Sequence, residues 1–233
     1  MSYQNPFLHF KKREYALWIS SLVAVTVSFI FSPDASVLSW IASLLGVTSL
    51  ILLARGDILG QVFILLFSTL YAIVSFEMHY YGEMITYLAM TAPMAVFAMV
   101  SWLRHPSKSG HNEVAVARLK PRVWWILSAL TVIVTVVFYF VLRAFNTASL
   151  LTSTLSVATS FFAASLTFLR SPYYALGYTA NDVVLIVLWV IASVKDPAYT
   201  PMVLCFVTFL VNDLYGFVCW KNMQRRQNAH SQN

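Results

Sequence analysis

Two pairs of an asparagine followed by an aspartate stand in stretches of the chain that are otherwise strongly apolar. Asn181 and Asp182 lie in GYTANDVVLIVLW, and Asn212 and Asp213 lie in FLVNDLYGFVCW. Carboxyl groups in such surroundings have two chemical uses: two of them can share a proton and serve hydrolysis, or they can attract a cation. The choice between these uses depends on the elements that carry the pairs.

The composition indicates that those elements are membrane-spanning helices. Hydrophobic residues make up 59% of the 233 residues and charged residues only 10%, and the mean hydropathy is +0.72. A soluble domain of this length does not need so much apolar surface, whereas a helical bundle in lipid does. One crossing of about 30 Å of hydrocarbon requires about 20 mostly apolar residues.

Eight stretches meet this requirement, which predicts an all-α integral membrane protein with one membrane domain over residues 1–233. The connections are short, apart from a polar connector over residues 104–121. The predicted spans are 14–31, 36–54, 58–76, 83–103, 122–145, 149–169, 173–194 and 200–220.

The basic residues predict the orientation of the chain in the membrane. Eight spans place both termini on one side, and 13 of the 15 Lys and Arg residues fall on that side. Only Arg143 and Lys195 fall on the other side. The positive-inside rule therefore predicts that both termini are cytoplasmic.

The polar connector raises the question of a nucleic-acid partner. It reads RHPSKSGHNEVAVARLKPR and carries five of the basic residues. RNA binding would use such a segment, but a solvated connector that faces the lipid accounts for the same composition. We therefore expect no nucleic-acid partner.

The order of the spans indicates an internal repeat. The spans within 36–103 and those within 149–220 have similar lengths and short connections, and the span 122–145 separates them. Such a linker gives both three-helix bundles the same orientation, so the prediction is a 3+1+3 parallel repeat after an extra first span, 14–31. A shift of 118 residues supports it, although apolar helices also match by chance; it aligns Tyr81 with Tyr199, Trp102 with Trp220 and Tyr71 with Trp189.

The two aspartates are predicted to lie at one depth. Asp182 is 12 residues from Arg170 and 13 from Lys195, and Asp213 is 13 residues past Thr200 and 8 before Lys221. A charge near the bilayer centre is costly, so both side chains should face the bundle interior or a wet cavity. Residues that share a helix face with them would surround a flat cationic ring with aromatic groups and hydroxyls. These neighbours are Tyr178 and Trp189 near Asp182, Phe209 and Trp220 near Asp213, Gln61, Ser68, Tyr71 and Ser75 on the span 58–76, and Tyr87, Met90 and Met94 on the span 83–103.

Structural interpretations compete with the binding hypothesis for some of these residues. Asn181 and Asn212 are as well explained by hydrogen bonds between helices. Trp102 and Trp220 fit an aromatic belt at the membrane interface. None of the five histidines lies within a predicted span, and the sequence shows no metal-ligand cluster or phosphate-binding loop, so we expect no metal, no cofactor and no catalytic residue.

The stretches around the two pairs resemble a known family. SPYYALGYTANDVVLIVLW, MVLCFVTFLVNDLYGFVCWKNM and LYAIVSFEMHYYGEMITYLAMTAPM are similar to bacterial nicotinamide riboside transporters of the PnuC type. The ending ND-x-YG-x-x-x-W, which starts at Asn212 and ends at Trp220, is the most specific part. The resemblance extends over roughly residues 36–222, and an extra N-terminal span occurs in some members.

This resemblance implies a SWEET-like fold, a homotrimer in the bacterial inner membrane, and facilitated diffusion of nicotinamide riboside, which phosphorylation in the cytoplasm then traps. It also implies a substrate site near mid-membrane. The matching side chains here are Asn181, Asp182, Asn212, Asp213 and Gln61 as polar partners, and Tyr71, Tyr87, Tyr178 and Trp189 as ring neighbours.

Three alternatives to this function remain at the level of sequence. PnuC-like proteins also carry thiamine, riboflavin and deoxynucleosides, and thiamine is likewise a cationic aromatic molecule. An intramembrane hydrolase would use Asp182 and Asp213 as a dyad, but the further residues of such catalytic motifs are missing. A receptor or scaffold without transport is the third alternative.

The chain departs from the SWEET plan in its prolines. That plan uses prolines as hinges in both bundles, whereas only Pro93 lies well inside a span here, and the 118-residue shift aligns it with Val211. Gly177 and Gly216 are the candidate hinges of the second bundle because small residues permit bending.

Overall fold

The computed structural model describes residues 5–32, 34–107, 112–147 and 149–230. Eight long helices dominate this part of the chain, and each is long and apolar enough to cross a membrane, as predicted. They are α1 (Lys12–Ile30), α2 (Val37–Ala54), α3 (Leu59–Glu77), α4 (Tyr81–Arg104), α5 (Pro121–Ala144), α6 (Leu150–Phe168), α7 (Tyr174–Lys195) and α8 (Thr200–His230).

Local signals place most helix ends within two or three residues of the predicted span limits. The Ser36 side chain accepts a hydrogen bond from the Leu38 backbone N–H and caps α2. Gly56, at a φ of 68°, allows the chain to leave α2 in the left-handed region. The helix α8 continues beyond the predicted span 200–220 to His230, because KNMQRRQNAH contains no helix breaker and packs against the connector.

Six of the eight helices form a closed ring. Going around it, the neighbours are α2, α3, α4, α6, α7 and α8, and α8 returns to α2. The linker α5 packs against α6, and α1 packs outside the ring against α2 and α8. The first bundle is thus α2–α4 and the second is α6–α8, and the space between them is the centre of the molecule.

Reciprocal contacts between the bundles show the parallel repeat. The Trp102 indole on α4 donates to the Thr167 carbonyl on α6, at 3.0 Å, and the Trp220 indole on α8 donates to the Leu53 carbonyl on α2, at 2.8 Å. The two tryptophan rings also touch, with centroids 5.4 Å apart. Equivalent residues meet in this way only on the axis that relates the two bundles. Trp102 and Trp220 are therefore buried core residues, and their assignment to an aromatic belt was wrong.

The connector between α4 and α5 does not lie along the lipid, contrary to the expectation from its composition. The Val114 N–H donates to the Gly56 carbonyl at 3.1 Å, and the Ala117 N–H donates to the Arg170 carbonyl at 3.0 Å. Arg226 on α8 forms an ion pair with Glu113 at 2.9 Å. The connector therefore crosses the end of the ring and joins the turns of both bundles; its residues 108–111 lie outside the described part.

The ring has two faces. The terminal face carries both ends of the chain, the connector and the turns at Gly56 and Arg170. The distal face carries the turns at His79, Asn146 and Asp196.

Candidate functional site

A small central cavity lies between the two bundles. Its volume is about 30 Å³, which is room for about two water molecules. Helices of both bundles contribute to it, as expected for a site on the axis of a repeat. Its lining residues are Leu50, Leu53, Ile64, Phe67, Tyr87, Thr91, Ser160, Tyr178, Asn181, Asp182, Phe206, Phe209 and Asp213.

The two aspartates meet at this cavity. Asp182 on α7 and Asp213 on α8 are each only 3% exposed, and their carboxyl groups interact directly. The Asp182 Oδ2 atom receives no hydrogen bond from the described residues. Because two adjacent carboxylates repel each other strongly out of water, the two groups are not both ionised. The pair is therefore a buried and incompletely hydrogen-bonded acidic group at the cavity.

Asn181 contacts both the cavity and the neighbouring helix α6. It lines the cavity, and its Oδ1 atom lies within hydrogen-bond distance of three hydroxyl groups of α6, of which its two lone pairs can accept from two at a time: Ser160 at 2.8 Å, Thr159 at 2.9 Å and Ser156 at 3.4 Å. These bonds fix α7 against α6. They also occupy the acceptor, so that the amide N–H groups are the part of Asn181 that remains for a ligand.

Asn212 points away from the cavity. Its Nδ2 atom donates to the Ser21 hydroxyl on α1 at 3.0 Å and to the Thr208 carbonyl at 2.8 Å. The side chain therefore attaches α1 to the second bundle and does not face Asp182. The amides of Asn181 and Asn212 thus have different surroundings, although each residue is followed by an aspartate.

Several aromatic side chains pack together and close the cavity toward the distal face. The Trp189 indole donates to the Tyr71 hydroxyl at 2.8 Å, which joins two residues 118 positions apart across the axis. The Tyr71 and Tyr87 rings are 4.4 Å apart, and Tyr80 stacks on Trp189 at 5.2 Å. Of these residues, Tyr87 lines the cavity, whereas Tyr71 and Trp189 are fully buried behind it. We call Tyr71, Tyr87 and Trp189 the aromatic roof.

Gln61 and Tyr178 lie on the opposite side of the cavity, toward the terminal face. Tyr178 lines both the central cavity and a second, smaller one of about 10 Å³, and Gln61 lines only the second. The Gln61 Nε2 atom is buried and donates to no described residue. The walls here are small, including Ala95 and Ala98. A path from the central cavity to the terminal face would pass these residues.

The structure is in a contracted state. Sites for small organic ligands enclose about 300–1,000 Å³, an order of magnitude more than the central cavity. A ligand therefore requires the two bundles to separate or the aromatic roof to open.

The first bundle has an irregular helical turn at the cavity wall. Within α4, residues Tyr87–Thr91 form a π-helical turn, which is followed directly by Ala92 and Pro93. Such turns commonly occur at functional sites, and proline prevents a regular helical hydrogen bond. The second bundle has no matching irregularity in α7 or α8 as described. Gly177 instead serves close packing, because a Cβ atom there would lie 2.9 Å from Ala163.

Glu83 is the polar residue that the sequence analysis overlooked. It is the first residue of the predicted span 83–103 and is fully buried in the first turn of α4. The available signal was its spacing of four residues before Tyr87, which places both side chains on one helix face.

Three comparisons with known proteins agree on a family. A family model described as nicotinamide mononucleotide transporter matches residues 36–222. The nicotinamide riboside transporter PnuC of Neisseria mucosa is 29% identical over 223 residues, which cover 92% of this chain and 83% of the relative. The protein of the same name from Haemophilus influenzae is 26% identical, with 91% of each chain covered. The crystal structure of the vitamin B3 transporter PnuC superposes with a TM-score of 0.83 at 26% identity, covering 94% of both chains.

Proposed function

Because the chain belongs to the family described as nicotinamide mononucleotide transporters, we propose that it is a membrane transporter for the uptake of nicotinamide riboside. The observation that carries the proposal is the Asp182–Asp213 pair, which lies beside a cavity on the axis of the two bundles and takes part in neither of the ion pairs of the described residues. The pyridinium ring of nicotinamide riboside is a cation that fits this charge, and aromatic side chains attract such a ring through their faces.

The charge of the site favours the riboside over the mononucleotide. A phosphate group is normally held by Arg or Lys side chains or by a helix N-terminus. Among the described lining residues none is basic, and two are acidic. A phosphorylated substrate would meet like charge at the centre of the molecule, whereas the riboside would not.

We assign roles to the site residues as follows. Asp182 and Asp213 neutralise the pyridinium ring, and Tyr87 and Tyr178 form the walls against its faces. The Asn181 amide donates to a ribose hydroxyl, since its oxygen is already occupied. Gln61 donates to the substrate on its way to the terminal face. Tyr71 and Trp189 close the cavity as part of the aromatic roof, and Asn212 holds α1 against the second bundle.

Transport proceeds by alternating access. The bundles rock about the central site, so that the roof opens toward one side and the region of Gln61 and Tyr178 toward the other. The substrate's own gradient suffices for facilitated diffusion, and phosphorylation in the cytoplasm traps the product. No catalytic residue, cofactor or ion coupling takes part.

The orientation and assembly belong to the same proposal. Both termini are cytoplasmic in the bacterial inner membrane, in accordance with the 13 basic residues on that side. The terminal face is then the cytoplasmic face. The protein is a homotrimer, and α5 supplies an apolar contact surface because Val132, Ile133 and Val136 are exposed.

Flux into sealed proteoliposomes tests the function. Labelled nicotinamide riboside should enter and reach the external concentration, with the same initial rate in the presence and absence of a proton gradient. Excess thiamine, riboflavin or deoxynucleosides should not compete. Absence of flux would contradict transport, accumulation driven by the proton gradient would contradict facilitated diffusion, and competition by thiamine would reassign the substrate.

The direct contact of the two carboxyl groups also fits an intramembrane hydrolase that uses them as a dyad. Such an enzyme would form product in detergent solution, where no transport is measurable. We expect no nicotinamide or ribose to be released from nicotinamide riboside by the purified protein. Product release that is lost in Asp182→Asn would favour the enzyme.

A further inference from the structure

A second buried carboxyl group lies near the distal face, apart from the central pair. Glu83 is 0% exposed and lies in the first turn of α4. The two ion pairs of the described chain, Arg55–Glu14 and Arg226–Glu113, involve other carboxylates. Arg143 and Lys195, the basic residues of the distal face, are exposed. Glu83 is therefore a buried acid without a basic partner in the described structure.

The carboxyl oxygens of Glu83 are also poorly satisfied. The Ser156 hydroxyl approaches the group, but neither oxygen has a partner of good hydrogen-bond geometry among the described residues. The hydroxyl groups of Ser153 and Thr147, which lie beside Gly82, are likewise unpartnered. Burial of a carboxyl group in this condition costs several kcal/mol unless a ligand, water or proton supplies what is missing.

The position of Glu83 relates it to the substrate path. It lies one helical turn from Tyr87 on the same face of α4, and it interacts electrostatically with both Tyr71 and Tyr87. The Ser156 hydroxyl, which approaches Glu83, also lies 3.4 Å from the Asn181 Oδ1 atom at the cavity. Glu83 therefore lies one helical turn closer to the distal face than Tyr87 of the aromatic roof.

We propose that Glu83 is an entry station for organic cations: when the roof opens, its carboxylate holds the positively charged ring before the ring reaches Asp182 and Asp213. This inference deepens the proposed function and depends on it. Two anionic stations on one path would give the transporter a preference for cationic over neutral substrates at entry, and would shorten the time for which the ring lies unpaired in a dry passage.

The main alternative is that Glu83 carries a proton permanently and only fills space. Glutamine has nearly the shape of a protonated glutamate but never carries a charge, so Glu83→Gln separates the two interpretations. Glu83→Asp retains the charge. Glu77→Gln is a matched control, because Glu77 lies near the same face but is exposed.

The test measures initial uptake of labelled nicotinamide riboside into proteoliposomes and, separately, its Kd by calorimetry. We expect Glu83→Gln to lower kcat/KM about tenfold, with Kd changed less than twofold, whereas Glu83→Asp and Glu77→Gln stay close to the unchanged protein. Normal uptake by Glu83→Gln, equal loss in Glu83→Asp, or a parallel rise in Kd would overturn the entry station.

The outcome for the unchanged protein separates this inference from the function on which it depends. If the unchanged protein carries no riboside, the proposed function fails. If it carries riboside and Glu83→Gln does so equally well, only the role of Glu83 fails.

Discussion

At the scale of single residues, the molecule shows how the same dipeptide is used in two ways. Asp182 and Asp213 meet at the axis, but Asn181 faces α6 and the cavity, whereas Asn212 faces α1. The sequence predicts the meeting of the carboxyl groups because their depths match. It does not predict the direction of each amide, which depends on the neighbouring helix that supplies hydroxyl groups.

The charge of the central pair should dominate substrate affinity. Asp213→Asn preserves the shape but leaves Asp182 as the only carboxyl group of the pair, so that no negative charge can be placed on the α8 side of the substrate ring. We expect the Kd for nicotinamide riboside to rise at least tenfold, which corresponds to about 1.4 kcal/mol. Calorimetry on the purified protein measures this change. Asp196→Asn is the control, since Asp196 is exposed and caps a turn that asparagine also caps; equal affinity in the two variants would remove Asp213 from the site.

The hydrogen bond in the aromatic roof should stabilise the contracted state. Tyr71→Phe leaves the buried Trp189 N–H without its acceptor, at a cost of about 1–3 kcal/mol. The expected result is a melting temperature several degrees lower in the absence of substrate. Tyr139→Phe serves for comparison because no hydrogen bond of Tyr139 is described. A melting temperature of Tyr71→Phe as high as that of the comparison variant would show that the bond does not hold the roof closed.

At the scale of helices, most of the architecture follows from hydropathy. Seven of the eight predicted spans match the helices closely because a lipid-crossing helix needs a fixed length of apolar residues. Hydropathy did not predict the C-terminal part of α8, because residues 221–230 are polar and form a helix outside the apolar stretch. The same reasoning missed Glu83: a polar residue at the end of a span looks exposed until the packing of α4 against α6 is known.

Two glycines on facing helices provide a contrast at this scale. A Cβ atom at Gly177 would approach the Ala163 backbone to 2.9 Å, whereas at Gly216 its nearest neighbour would be 3.5 Å away. Gly177→Ala should therefore separate α6 from α7 and destabilise the protein by about 1–3 kcal/mol. Gly216→Ala should be tolerated, with a gain from helix propensity of up to about 1 kcal/mol. Thermal unfolding in detergent compares the two, and equal melting temperatures would contradict the close contact.

At the scale of the whole molecule, some contacts follow the internal repeat, whereas the candidate site departs from it. The two tryptophan hydrogen bonds and the Tyr71–Trp189 bond relate the bundles by the repeat. The site itself is asymmetric: both aspartates come from the second bundle, while the π-helical turn and Pro93 come from the first. We infer that the second bundle holds the substrate's charge and that the first bundle supplies most of the bending.

The connector adds a constraint on that motion. It bonds to the turns of both bundles at the terminal face and to the C-terminal part of α8. Opening toward this face must therefore stretch or move the connector. A composition-based interpretation could not reveal this role, because the partners of the connector are backbone groups of distant turns.

The central claim is that the Asp182–Asp213 pair receives a cationic ring in a space that opens between the bundles. A structure of the protein with nicotinamide riboside bound tests it most directly. The account predicts the pyridinium ring beside the two carboxyl groups, enclosed by Tyr87 and Tyr178, in a cavity expanded from about 30 Å³ to the several hundred Å³ typical of ligand sites. A riboside bound elsewhere, with the two aspartates still in mutual contact and no space beside them, would contradict the account.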